Sequence, residues 1–140
     1  MSREILFKAK RKNWRELPKD EWWVEGSYHN QIYYYGNPCD DHYIIDRTEN
    51  GYGEYWEIDP ETLCQYTNKE DKNHNKIFDR HIIRNEKGEI GVVQWFEEHA
   101  AFMIWHVKEN KIYYLGDNNS LKVKVIGNIF DNPELLGGAE

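Results

Sequence analysis

Short runs of β-branched and aromatic residues, each ended by turn residues, recur throughout the 140-residue chain. Five of them follow residue 78: HIIRN, EIGVVQWF, AFMIWHV, KIYYLGD and LKVKV. In the last run Leu121, Val123 and Val125 alternate with Lys122 and Lys124, which is the period of a strand with one buried face. Runs this short and this closely spaced favour antiparallel hairpins, so we predict a mainly β protein. Five strands would suffice for a small SH3-like barrel in the C-terminal half.

The N-terminal half contains aromatic strands cut by turns. EWWVEGSY and IYYYGN predict a hairpin that turns near His29 and Asn30, and HYIID, the turn NGYG and the strand EYWEI follow. In DPETL, Asp59 is a suitable cap for one helical turn that begins at Pro60. CQYT then returns to an extended path.

A polar stretch, TNKEDKNHNK at residues 67–76, predicts a surface loop because it is rich in Asn and Asp. It would separate an aromatic-rich N-terminal β subdomain, residues 1–66, from a C-terminal SH3-like β-barrel subdomain, residues 77–140. The two subdomains could share one core.

The segment DNPELL predicts that the last strand stops in a second short helical turn. Pro133 cannot donate to a sheet, and Asn132 is a suitable N-cap. Leu135 and Leu136 would then fold back as an apolar plug. We interpret this segment as structural.

Charge is unevenly distributed along the chain. Residues 1–15 carry a net charge of +5, and the remaining residues carry −12. An acidic body repels phosphate backbones, which argues against broad non-specific DNA binding. The basic segment from Lys8 to Arg15 is expected to be the solvated face of a first strand, with local contact to nucleic acid as the alternative.

The sequence has no apolar run long enough to span a membrane and no hydrophobic signal-peptide core at its N-terminus. We therefore expect a cytoplasmic protein that makes no membrane contact. Cys39 and Cys64 are too few for a disulfide framework and are expected to be reduced.

Six segments together resemble the YopX family of small phage and prophage proteins: REILFKAKR at 3–11, WVEG at 23–26, IDPETLCQYT at 58–67, DKNHNKIF at 71–78, EIGVV at 89–93 and VIGNIFDNPELL at 125–136. The resemblance implies a β-rich fold with an SH3-like barrel, a viral or prophage origin and a bacterial cytoplasm. It implies no activity, so it assigns no catalytic or binding residues.

The chain departs from the family pattern at four positions. The family usually has glycine where this chain has Asn68, His74 and Arg80, and an acidic residue where it has His81. Asn tolerates a left-handed backbone. A left-handed backbone has a higher steric cost at Arg80, so the turn before HII is expected to differ from that of the family.

Sequence motifs for catalysis and for phosphate or metal binding are weak or missing. There is no phosphate-binding glycine loop, HExxH pair or nucleophile elbow. Cys39, His42, Cys64 and His74 offer possible zinc ligands, but a second tightly spaced pair is missing, so a buried Cys and surface His residues are favoured. We therefore predict no metal and no cofactor.

Two histidines and two acidic pairs are the remaining candidates for catalysis. His99 and His106 have no neighbouring nucleophile and are expected to be ordinary surface or half-buried residues. The pairs Asp40-Asp41 and Glu97-Glu98 are expected to be solvated, since adjacent strand residues point to opposite faces. We predict no catalytic residue and no enzymatic activity.

Aromatic residues on strands are the strongest functional signal. Tyr33 to Tyr35, with Trp22 and Trp23, could form a base-stacking platform, but their surroundings are acidic. Core packing together with a protein interface is the favoured interpretation. We therefore expect a phage accessory protein that binds itself as a homo-oligomer, or a host or phage protein. A nucleic-acid-associated barrel and an acidic DNA mimic that inhibits a host enzyme are the alternatives.

Overall fold

The computed structural model describes residues 3–46, 53–116 and 119–137. The chain divides into two compact units, unit 1 at Met1–Gln65 and unit 2 at Tyr66–Glu140. Antiparallel strands dominate both, and the one α-helix among the described residues is α1 at Glu134–Gly137. The prediction of a mainly β protein is confirmed.

Unit 1 is built on one antiparallel sheet. Its strands are β1 (Phe7–Lys10), β2 (Trp23–Tyr34), β3 (Asn37–Ile45), β4 (Tyr55–Glu57) and the start of β5 (Cys64–Glu70), in the order β4-β3-β2-β1-β5. Its core consists of Ala9, Ile44 and Ile58, against which Phe7, Val24, Tyr28, Trp56 and Leu63 pack.

The long hairpin of unit 1 turns later than the sequence suggests. β2 continues through His29 and Asn30, and the turn is formed by Tyr35 and Gly36, with φ of 49° and 78°. Two successive left-handed residues are typical of the tight turn that suits the twist of a hairpin. The predicted turn at His29-Asn30 was therefore wrong, and the signal was the Tyr-Gly pair before Asn37.

The predicted helical turn after Asp59 is confirmed as a 3₁₀ turn at Pro60–Thr62. The Asp59 carboxylate accepts a hydrogen bond from the Glu61 N–H at 3.2 Å. The hydroxyl of Thr62 also accepts a hydrogen bond from the Lys10 N–H at 2.8 Å, which ties this turn to β1. The predicted NGYG turn at residues 50–53 lies outside the described residues except for Gly53.

Unit 2 contains a five-stranded antiparallel sheet. Its strands are β7 (His81–Asn85), β8 (Ile90–Phe96), β9 (Ala101–His106), β10 (Lys111–Tyr114) and β11 (Val123–Asn128), in the order β10-β9-β8-β7-β11. In the part of the chain that is described, this sheet is open, with β10 and β11 as its edges. The predicted SH3-like barrel is thus not confirmed, because no pairing closes the sheet. The core comprises Ile77, Ile83, Val93, Ile104, Leu115 and Val123.

Residues 67–76 form a hairpin. β5 continues to Glu70, pairs with β6 (Lys76–Phe78), and leaves only 71–75 as the turn. Asp71 is 0% exposed, so the prediction of one surface loop was wrong. Asp71 opens this turn, and its carboxylate accepts hydrogen bonds from within the fold.

The end of the described chain agrees with the predicted stop, with two corrections. Residues after β11 turn into α1, and Leu135 and Leu136 are half-buried. The side chain of Asn132, however, accepts a hydrogen bond from the Asn128 N–H at 3.2 Å, so it holds the preceding turn. Leu121 lies in an exposed 3₁₀ turn at Asn119–Lys122 and not on the predicted strand.

Three left-handed residues coincide with departures from the family pattern. Asn68, His74 and Arg80 have φ of 66°, 65° and 67°. Only glycine adopts this region without a steric penalty. Arg80 adopts this conformation with an arginine side chain, and the expectation that its turn differs from that of the family stays a prediction.

Candidate functional site

One face of the β2-β3-β4 sheet is open to solvent and rich in tyrosine. The strand register pairs His29 with Tyr43, Gln31 with Asp41, and Ile45 with Tyr55. Directly paired residues project to the same face of a sheet. We call this set the tyrosine face: His29, Gln31, Asp41, Tyr43, Ile45 and Tyr55. The opposite face carries Ile44 and Trp56 and belongs to the core of unit 1.

A groove of about 470 Å³ runs over the tyrosine face. Tyr34 joins its lining, one position later than strict alternation from Gln31 would give, because the register shifts between Gln31 and Tyr33. Such a bulge re-aims the side chains that follow it. The Tyr43 and Tyr55 rings meet edge to face with centroids 5.7 Å apart, and Tyr55 is 69% exposed.

The outer part of the β2-β3 hairpin is a two-stranded ribbon. β1 pairs only with residues 23–26 of β2. β4 pairs only with residues 43–45 of β3. Within the described chain, residues 29–34 and 37–41 therefore have no third strand. Three consecutive tyrosines lie at the tip of this ribbon, and Tyr35 is 87% exposed.

The strands and loops around the tyrosine face are acidic. Residues 24–46 and 53–59 include seven Asp or Glu and no Lys or Arg. The pKa of Tyr43 is raised, first by burial of its hydroxyl and then by the nearby carboxylates of Asp41 and Glu57. Glu57 is also held by Lys12, whose Nζ lies 2.9 Å from its Oε2.

The basic N-terminal segment is packed against tryptophan. The Lys10 ammonium lies 3.8 Å from the Trp14 ring centroid and 4.6 Å from that of Trp22, and Lys10 is 3% exposed. The guanidinium carbon of Arg15 also lies over the Trp14 ring, 4.3 Å from its centroid. Cations attract the faces of aromatic rings, and most strongly those of Trp. The expectation of a solvated strand face was wrong for Lys10.

The four residues considered as zinc ligands make other contacts. Cys39 Sγ donates to the Gln31 carbonyl at 3.3 Å, and Cys64 Sγ donates to the Thr62 carbonyl at 3.2 Å. The His42 ring bonds Tyr28 at 2.6 Å through Nδ1. The exposed His74 lies beside Glu70. None of the four belongs to the one carboxylate–histidine group with metal-like spacing found among the described residues.

That group lies in unit 2 and was missed by sequence reasoning. His106 Nε2 is 3.1 Å from Glu89 Oε2 and 3.8 Å from Glu109 Oε1, at the edge of a cavity of about 310 Å³. His106 is buried, against the expectation for a surface or half-buried residue. The pKa of Glu89 is lowered, first by the hydrogen bond from Asn85 and then by the neighbouring imidazole. The only signal in the sequence was the spacing of His106 and Glu109 around a hairpin turn.

The protonation of His106 argues against a metal in this group. Its Nδ1 accepts a hydrogen bond from the Glu109 backbone N–H at 3.1 Å. A neutral imidazole whose Nδ1 accepts must carry its proton on Nε2, the atom that faces the two carboxylates. Metal-bound histidines show the reverse arrangement, in which the second nitrogen donates. We therefore interpret the group as a hydrogen-bonded turn.

The other residues considered for catalysis are dispersed. His99 lies in an exposed 3₁₀ turn and packs its ring edge-on to Tyr114. Asp40 accepts from the Asn30 side chain at 3.0 Å, while Asp41 lines the groove of the tyrosine face. Glu97 and Glu98 lie in the same exposed turn as His99. No pair of these forms a carboxylate dyad.

Comparison with known protein families assigns the chain to a family. The model of the YopX protein family matches residues 12–137. The chain belongs to the YopX family. The match spans both the tyrosine face and the His106 group of this YopX protein. No curated protein matches the sequence. Among the residues that the structure describes, no helix is both long and apolar enough to cross a membrane.

Proposed function

We propose that this YopX protein is a non-enzymatic accessory protein of a phage or prophage. It acts in the bacterial cytoplasm by binding protein, either a second copy of itself or a host or phage protein. The observation that carries the proposal is the two-stranded ribbon of residues 29–34 and 37–41 with its exposed tyrosines.

The ribbon gains stability from a partner. A two-stranded hairpin alone is at best marginally stable in water, and unpaired strand edges readily accept further contacts. Ile32, Tyr33 and Tyr34 are each more than half exposed. Tyrosine supplies a large contact area with few rotatable bonds, which is why it is common among residues that dominate protein interfaces.

The charges support protein over nucleic acid as the partner. Stacking platforms for bases normally lie in a basic groove, whereas the groove of the tyrosine face is lined by Asp41 and by no Lys or Arg. The cation closest to the aromatic residues of the N-terminal segment, Lys10, is buried between tryptophans. A DNA mimic remains an alternative that rests on net charge alone.

Sedimentation velocity over a wide concentration range and affinity capture from host lysate, with and without nuclease, test the proposal. The double variant Tyr33→Ser with Tyr34→Ser should abolish self-association or the retained protein. Tyr114→Ser is the matched control, because Tyr114 is an equally exposed tyrosine on β10. A wild-type protein that stays monomeric and retains no protein would overturn the proposal, as would retention that disappears with nuclease.

A further inference from the structure

The groove over the tyrosine face combines aromatic rings with the carboxylate of Asp41. Tyr34, Tyr43 and Tyr55 line it together with Ile45, and Asp41 and Gln31 supply polar groups. Grooves lined by aromatic rings accept the rings of proline, whose extended helix carries exposed carbonyl oxygens and loses little entropy on binding. Tyrosine hydroxyls and the Gln31 amide can donate to such carbonyls.

The charge of the groove selects a basic ligand. Asp41 is the acidic residue in the lining of the groove, which contains no Lys or Arg, and the nearby Lys12 is paired with Glu57. The Asp41 carboxylate lies close enough to Tyr43 to help raise the pKa of its hydroxyl, so the charge lies beside the aromatic wall. A carboxylate in this position can accept hydrogen bonds from an arginine of the ligand.

The same charge disfavours a second copy in this groove. Two such grooves brought together would place the Asp41 carboxylate of one copy near that of the other, and like charges in contact are destabilising. Self-association through the ribbon tip is compatible with a groove that takes another ligand.

We infer that the groove binds an extended, proline-rich peptide segment with arginine beside the prolines. The inference rests on the proposed protein-binding function and names the chemistry of the partner. In the complex the prolines pack on the tyrosine rings and an arginine reaches Asp41.

Fluorescence anisotropy with a labelled peptide of repeated Pro-Pro-Arg triplets tests the inference on the full chain. Tyr55→Ser should weaken binding at least about tenfold, the loss of one well-packed aromatic contact. Asp41→Asn should weaken binding and make it less sensitive to salt, because one opposite charge is removed. Tyr114→Ser should bind as the wild type does.

Two control peptides separate the possible causes of binding. A Pro-Pro-Glu repeat should not bind, and a Gly-Gly-Arg repeat should bind at least about tenfold more weakly than Pro-Pro-Arg. Equal binding of Gly-Gly-Arg would overturn the inference, because charge alone would then suffice. Absence of Pro-Pro-Arg binding would overturn it too, yet leaves the proposed function intact if the Tyr33 and Tyr34 variant still loses its partner.

Discussion

The Asp71 carboxylate accepts a hydrogen bond from the backbone N–H of Val125 at 2.9 Å. The same side chain accepts from the backbone N–H groups of Asn73 and Asn75, each at 2.9 Å. One buried carboxylate therefore holds both the β5-β6 turn and strand β11 of unit 2.

Replacing Asp71 by alanine should lower the free energy of unfolding by about 2–4 kcal/mol. The substitution leaves the part-buried N–H groups of Val125, Asn73 and Asn75 without their acceptor, and a donor that loses its acceptor away from water costs more than a lost hydrogen bond alone. Urea denaturation measures the change. Glu97→Ala, an exposed carboxylate in the same unit, is the control and should shift stability by less than about 0.5 kcal/mol. Equal stability of the two variants would contradict the role assigned to Asp71.

Stability should fall in acid because of Asp71. Burial alone would raise the pKa of its carboxyl, but the hydrogen bonds from Val125, Asn75 and Asn73 outweigh burial and hold the pKa below its ordinary value of 3.8. A lowered pKa in the folded state gives stability that is fully present above 3.8 and is lost as the pH falls through the folded-state value. Urea unfolding at a series of acidic pH values should show this loss, and Asp71→Asn should flatten it. An unchanged pH dependence in the variant would assign the effect to other carboxylates.

His74→Gly should raise the free energy of unfolding by about 0.5–1 kcal/mol, since glycine removes the steric cost of the left-handed conformation at a φ of 65°. The contact with Glu70 that is lost is exposed and contributes little. Asn73→Gly, in the same turn at a residue without a positive φ, should instead destabilise by a similar amount. Thermal unfolding compares the two variants, and destabilisation by both would refute the strain at His74.

Gly26→Ala should destabilise the protein by about 1–3 kcal/mol or more. A Cβ at this position would lie 2.1 Å from the Ile45 carbonyl oxygen, and a backbone atom cannot move aside as a flexible side chain can. Gly137→Ala is the control, because nothing lies within 4 Å of its added Cβ. Chemical denaturation of both variants tests the prediction, and a neutral Gly26→Ala would show that β2 and β3 separate without cost.

Zinc should not stabilise the protein through His106. The Nδ1 that accepts from the Glu109 N–H places a proton on Nε2, which would have to be lost before a metal binds there. Thermal unfolding with and without added Zn²⁺ measures the effect. An increase in Tm that His106→Gln removes and His99→Gln preserves would reveal a metal site.

The sequence predicts the strands better than it predicts burial. Period-two alternation and Asp59 before Pro60 act locally, and both features appear in the structure. The turn at Tyr35-Gly36 was missed because tyrosine, a strand former, occupies a left-handed position. Asp71 and Lys10 were missed for a different reason. Their burial depends on a distant N–H group and on tryptophan rings brought together by the fold.

From the sequence, the candidate site could be predicted only as an excess of aromatic residues on strands. The tyrosine face depends on the register between β2, β3 and β4, including the bulge that brings Tyr34 into the groove. A strand pattern says which residues alternate, but not which partner lies opposite each one.

The bond between Asp71 and Val125 has a consequence during synthesis. Val125 follows Asp71 by 54 residues, so it leaves the ribosome long after the β5-β6 turn has emerged. Until then the carboxylate lacks one of its donors, and desolvating it is correspondingly unfavourable. The hydrogen-bonded environment of Asp71 can therefore be completed only after Val125 has been synthesised.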